Sequence, residues 1–354
     1  MAKAINKVIL PRGRESFPVS EPWRWIRQIR AERGPQALIP AIGSGFNAQA
    51  VGSVFGWRDL LVEIQRRTQL TFELPAPDLT TGNTTLIWER MLFDLAAGNQ
   101  RRPHQVEDSL QRVVAQTLRK FYPVGGSHGA FANRFLGLGF QDVLSFNFDE
   151  VLLHEDAAWV PKPKPLDPVM GHCRVGSARV WYPHGSVCDP ASIQLGLRAY
   201  GILIQKLEEG RIAYKATESE LFEPRPPKGT KAPRRAKDPK APPRVEKPRT
   251  MEDHWRVSDA LRQRALSWVS TAMNAPLIFA GLSLGREEWP LWWFLNQRAR
   301  NHARRNLSWE IPTFAILIRK EAELLATAAR MVNITLVPVD SYHEGWDRLF
   351  DALK

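Results

Sequence analysis

The chain has 354 residues, 44% of them apolar, with 13 Trp and a formal net charge of +12. That length holds one large domain or two ordinary ones, and the apolar content supplies a sizeable core. Two cysteines, Cys173 and Cys188, exclude a disulfide scaffold and a four-cysteine zinc site, and no apolar run approaches the roughly 20 residues that span a bilayer.

The first residues, Met1 to Arg14, contain only Val8-Ile9-Leu10 as an apolar stretch, too short for a secretory leader, so a soluble cytoplasmic protein is expected. A helix is expected over Ser20 to Arg33, with Ser20 as cap, Pro22 in the first turn, Gly34 closing it, and Trp25, Ile26 and Ile29 on one face. Residues 1–35 read as an N-terminal helical arm and 36–354 as the main domain. Ala37 to Ile42 reads as a buried strand. Trp57 to Gln65 is helical, and residues 66–130 form a helical insertion, clearest over Thr85 to Ala96 and Val106 to Phe121. A second core strand covers 142–148, an extended proline-rich loop Pro161 to Pro168, and a third strand Arg179 to Tyr182.

The basic charge is concentrated late in the chain. Pro224 to Arg249 carries ten Lys or Arg, two acids and eight Pro, leaving only +4 of the +12 for the rest. Segment 222–250 therefore reads as a loose basic, Pro-rich loop. A single helix is expected from Ser258 to Met273, then a strand at 277–281 and a helix opened by Pro290. A strand at Thr313 to Ile318, a helix at Glu321 to Met331, a strand at Ile334 to Val337 and a helix at Glu344 to Leu353 complete the chain. Alternating strands and helices predict an α/β fold, a Rossmann-like parallel sheet of about six strands with helices on both faces.

Four polar signals follow apolar runs. Gly43-Ser44-Gly45-Phe46-Asn47-Ala48 matches the loose pattern in which glycines let a backbone approach a pyrophosphate at a helix N-terminus. It would equally serve as an ordinary strand–helix turn. Asp59 and Glu63 lie near the distance where a dehydrogenase places its ribose-binding acid, but both sit in a helical pattern, so that version fits poorly. Asn147 and Asp149 flank Phe148 at a strand end, where alternate side chains point the same way. They could grip one ligand together or cap a helix near Glu150. His184-Gly185 follows an aromatic strand and offers either a general base or a structural imidazole. Gly281-Leu282-Ser283-Leu284 could present amides and a hydroxyl to a ribose or phosphate, or simply turn into the next helix. His154, His172, His254, His302 and His343 show no metal spacing, and both cysteines read as small core residues. Trp289, Trp292 and Trp293 are candidates for a contact surface, with burial expected for at least two.

Taken in order, Gly43-Ser44-Gly45-Phe46-Asn47, Asn147-Phe148-Asp149, His184-Gly185 and Gly281-Leu282-Ser283 resemble the motifs of the sirtuin family of NAD-dependent enzymes. The run Val54-Phe55-Gly56-Trp57-Arg58-Asp59-Leu60-Leu61 is more similar to the divergent bacterial sirtuin-like domains of anti-phage defence. Two departures stand out. The chain cannot build the four-cysteine zinc module of the deacylases, and Asn47 stands where the family's first turn has Ser.

The resemblance implies an NAD+ hydrolase that releases nicotinamide and ADP-ribose, an abortive-infection effector with NAD as substrate and no metal. It implies that Gly43, Ser44 and Gly45 cradle the pyrophosphate, with Phe46 and Asn47 in the same turn and Phe46 covering the nicotinamide. Asn147 would hold the nicotinamide ribose and position water. Asp149 would bind the carboxamide beside Phe148, His184 would be the base, and Gly281 and Ser283 would meet the adenosine half. It also implies a homo-oligomer and a partner protein of a defence system, such as an ATPase. The alternatives are a non-catalytic NAD- or ADP-ribose-binding regulatory subunit and, further off, a protein deacylase or a nucleic-acid binder acting through 222–250.

Overall fold

The computed structural model describes residues 21–52, 55–70, 84–122, 129–153, 158–160, 166–221, 251–285, 288–305 and 311–354. Ser20, Val54, His154, residues 161–165 of the proline-rich loop and the basic segment 222–250 lie outside the described residues. The helices are α1 Pro22–Arg33, α2 Ser44–Val51, α3 Trp57–Thr68, α4 Thr84–Gly98, α5 Pro103–Phe121, α6 Gly129–Leu136, α7 Gly196–Leu221, α8 Met251–Gln263, α9 Trp268–Ala272, α10 Trp289–Arg305, α11 Arg319–Met331 and α12 Tyr342–Leu353. The strands are β1 Ile39–Ile42, β2 Asp142–Ser145, β3 Ala158–Val160, β4 His172–Val175, β5 Ala178–Trp181, β6 Leu277–Ala280, β7 Thr313–Ile318 and β8 Ile334–Val339.

The eight strands form one sheet in the order β3-β4-β5-β2-β1-β6-β7-β8. From β5 to β8 every pairing is parallel, while β4 runs antiparallel to β5 and β3 antiparallel to β4. The six parallel strands agree with expectation, and the β3–β4 hairpin adds an edge the sequence did not reveal. Counting the parallel strands alone, the spatial order is third, second, first, fourth, fifth, sixth, the doubly wound α/β order. The chain reverses its winding between β1 and β6, and such reversal points open a crevice beyond the carboxyl ends of the strands.

The central strands β1, β2, β6 and β7 bury both faces, successive side chains pointing to opposite sides. Ile42, Val143, Ile278, Phe314 and Ile316 enter one core, with Ile26 of α1, Trp88 of α4, Val114 of α5 and Trp346 of α12. Ile39, Leu144, Leu277, Phe279 and Leu317 enter the other, with Leu207 of α7, Val269 of α9 and Phe294 of α10. α1 packs on α12 and β8, so the N-terminal helix shares the main core rather than standing off as an arm. Its first cap is Glu21, without a side-chain capping bond.

Two helical expectations change. The single helix over Ser258–Met273 is two, because the Ser267 hydroxyl accepts from Ser270 N–H (3.2 Å) and starts α9 afresh. The 26-residue α7 went unread. Glycines interrupt its pattern and Leu197, Ile202 and Ile212 are exposed on it, which blurs the apolar stripe.

At the start of β2, Asp142 is fully buried and accepts four hydrogen bonds. They come from Arg179 Nε (2.7 Å) and Nη2 (3.0 Å), Arg262 Nη2 (3.1 Å) and Trp181 Nε1 (3.0 Å). Two guanidinium groups around one carboxylate leave no uncompensated acid there.

Candidate functional site

The loops that leave β1, β2 and β6 meet at the reversal point. Their first contact is between backbones. Gly45 N–H donates to Gly281 O (2.9 Å). A Cβ on Gly43 would lie 2.7 Å from Gly281 O, one on Gly45 2.6 Å from Gly281 Cα, and one on Gly281 2.7 Å from Phe46 N. Gly281 also has φ +65°, where a side chain is strained. Glycine is required here because two turns touch. That corrects part of the pyrophosphate-cradle expectation: Gly45 and Gly281 face each other, and one N–H of the α2 terminus is already bonded.

In front of this contact lies a cleft of about 110 Å³, lined by Gly43, Ser44, Asn47, Asn147, Phe148, Asp149 and Ser283. Phe55, Trp57, Tyr122 and Glu288 are also part of its wall. Seven of the eleven expected site residues thus share one cavity, brought from three strand ends. Phe46 does not. It is fully buried on the far side of α2, with ring centroids 5.1 Å from Phe131 and Phe135 and 5.5 Å from Trp346. The motif fixes its position on the helix but not the face it presents, and that face belongs to the core. It cannot cover a nicotinamide.

The cleft floor is a polar chain. Asn147 Nδ2 donates to Gly43 O (2.9 Å) and to Asn47 Oδ1 (3.1 Å). Asn47 Nδ2 donates to Asp149 Oδ2, and Val151 N–H donates to Asp149 Oδ1 (3.1 Å). No helix begins at Glu150, so the last bond closes a local turn rather than capping a helix. Burial pushes the Asp149 carboxyl up to about 6, against the pull of those donated bonds. Tyr122, hydrogen-bonded to the Asn47 side chain and the Phe55 backbone, is pushed up to about 12, chiefly by burial. Phe148 meets Trp57 edge-on at 5.6 Å.

His184 lies behind this wall, 2% exposed. Its ring packs on Phe146 (5.2 Å), Tyr200 (5.7 Å) and Phe148 (6.1 Å), and Nε2 lies 3.3 Å from Glu288 Oε2. Burial drives the imidazole down to about 4 and Glu288 up to about 7. Gly185 after it has φ +85°, and a Cβ there would sit 2.0 Å from Ser192 O. The His-Gly pair therefore fixes a tight turn. His184 does not line the cleft and is separated from it by Glu288, so it does not itself face a ligand as the expected role of base requires.

Other expectations settle in place. Asp59 accepts from Gly56 N–H (2.9 Å) and starts α3, and Glu63 pairs with Arg66 and Arg67, so neither serves a ribose. Cys173 is buried but Cys188 is exposed, correcting its core assignment. Trp292 and Trp293 pack against the second core, and Trp289 is exposed. Among the described residues no group of three or more His, Cys, Asp or Glu could hold a metal ion, and no helix is long and apolar enough to cross a membrane. Glu288, Tyr122 and Trp57 were not foreseen as site residues; Glu288, just before the helix-opening Trp289-Pro290, carried the nearest thing to a signal.

No protein-family model matches this sequence, and no curated protein matches it. The chain is an α/β protein with a Rossmann-like, mostly parallel sheet.

Proposed function

We propose that the chain is a sirtuin-like NAD+ hydrolase whose cleft breaks the nicotinamide–ribose bond. One observation carries the reading: Asn147, Asp149, Ser44 and Ser283, distant in sequence, line one cavity at the winding reversal of a doubly wound sheet. Dinucleotides bind at such points in open α/β sheets. In the reaction the C–N bond breaks and its electron pair returns to the ring nitrogen, discharging the pyridinium. A water oxygen bonds to the ribose carbon and gives up one proton. The leaving group needs no strong acid, so orientation, charge stabilisation and one base suffice. Asp149 binds the carboxamide, Asn147 orients the ribose and water, and Ser44 and Ser283 contact the remaining polar groups.

The cleft is smaller than the roughly 300–1,000 Å³ of a small-molecule site. It admits a ring, and a whole dinucleotide requires the α3 side to move outward. Restraint by self-assembly or by a partner protein, and a role in anti-phage defence, belong to the same proposal. A second reading is a binding subunit without turnover. It is favoured by Asn147, whose two amide hydrogens are both held by the protein itself.

The test measures nicotinamide release from NAD by the full chain and by Asn147→Ala, with binding followed by calorimetry. Loss of at least about 100-fold in turnover is expected for the variant. NAD binding without release by the wild type would establish the second reading instead, and neither binding nor release would end both.

A further inference from the structure

Resting on that reading, we infer that the proton acceptor of the cleft is the Glu288–His184 pair, with Glu288 as the member facing the ligand and His184 positioned behind it. The geometry is the first support. Glu288 lines the cleft and His184 does not, yet Nε2 and Oε2 stand 3.3 Å apart. Glu288 Oε2 is buried and has no hydrogen-bond partner among the described residues. Among the described residues the His184 imidazole is the one ionisable group within 4 Å of that oxygen.

Proton counting is the second support. The imidazole hydrogen-bonds the Phe146 backbone. A ring that donates one N–H to a carbonyl presents its other nitrogen bare when neutral. A bare Nε2 opposite a bare carboxylate repels, so the pair takes up one proton readily. Burial alone sets Glu288 to about 7, close to the value at which a general base works best near neutrality. The remaining titratable groups nearby are Tyr200, packed on the imidazole from α7, and Asp149 and Tyr122, which line the cleft.

In the reaction, the attacking water forms its bond to the ribose carbon and passes its proton to Glu288. The proton settles between Glu288 and His184 and later leaves to solvent. The nicotinamide departs neutral, so the step balances without any further reactant.

The experiment combines two readouts on the full chain. In ¹⁵N-histidine NMR the His184 ring signal is identified by its loss in His184→Gln. In the wild type it changes between about pH 6 and 8 as the shared proton leaves, and in Glu288→Gln that step is absent. Nicotinamide release is expected to fall by about 10²-fold or more in Glu288→Gln, with KM for NAD changed less than about threefold, and Glu288→Asp is expected to recover part of the rate. A step that persists in Glu288→Gln overturns the pair. A step that vanishes while turnover is unchanged overturns Glu288 as acceptor. A vanished step with no release by the wild type removes the hydrolase reading and, with it, the acceptor role, leaving the shared proton as a property of the fold.

Discussion

Asp149→Asn keeps the outline of a buried side chain and removes its charge. The carboxyl is 5% exposed, and burial raises it from 3.8 to about 6. The native state therefore binds an extra proton between those values. Stability from this group is complete below about pH 4 and is lost as pH rises through 6. The gap is worth roughly 3 kcal/mol once both states are ionised. Asparagine cannot titrate, so the variant escapes that loss. It also offers one acceptor where the carboxylate offers two, to Asn47 and Val151, which shifts its stability by a constant of about 1–3 kcal/mol. The constant does not depend on pH, and the difference between the proteins does. Urea denaturation followed by tryptophan fluorescence, run from pH 4 to pH 7.5, reads it directly. The wild type should lose roughly 3 kcal/mol relative to the variant across that range, while Glu107 and Glu288 titrate in both and cancel. A difference that stays constant within about 0.5 kcal/mol would refute the argument that burial holds the Asp149 carboxyl above its ordinary range.

Gly281→Ala puts a methyl group against Phe46 N and Gly45 C and strains a backbone at φ +65°, so a loss of about 2 kcal/mol or more is expected in the same denaturation assay. A loss below about 1 kcal/mol would show that the two turns part easily. Phe46→Ala empties an aromatic cluster and should cost about 3–5 kcal/mol, yet leave the calorimetric affinity of the folded protein for NAD within about threefold. A large loss of affinity in a folded variant would return Phe46 to the site.

The sheet was legible because its strands are short apolar runs between turn residues: Thr313–Ile318 is β7 to the residue, and Ala37–Ile42 overshoots β1 by its first two residues. Asn147 and Asp149 do line one cavity, but strand alternation is not the reason: the strand expected over 142–148 ends at Ser145, and the two side chains lie in the bend beyond it, joined through Asn47. What stayed hidden depended on depth and direction. A motif places Phe46 in the first turn of α2 but does not say that this side faces Phe131 and Trp346. It places His184 after β5 but not behind Phe146 and Phe148. Tyr122 comes from the end of the insertion and Glu288 from before α10, and only the folded arrangement brings them beside Asn47 and His184. The α8–α9 break turned on one serine hydroxyl that a periodic pattern does not register.

Asp142 lies at one end of β2, and Asn147 stands just beyond the other. Four strand residues span only about 13 Å. The arginines clasped around Asp142 therefore tie the strand that leads into the cleft floor to β5 and α8. The opposite bank is held by ring contacts, Phe55 stacked on Phe121 and Trp57 edge-on to Phe148. The two shores of the cleft are thus fastened by different means, an ion cluster on one and aromatic faces on the other, so salt and acid act on the first and loss of a ring on the second.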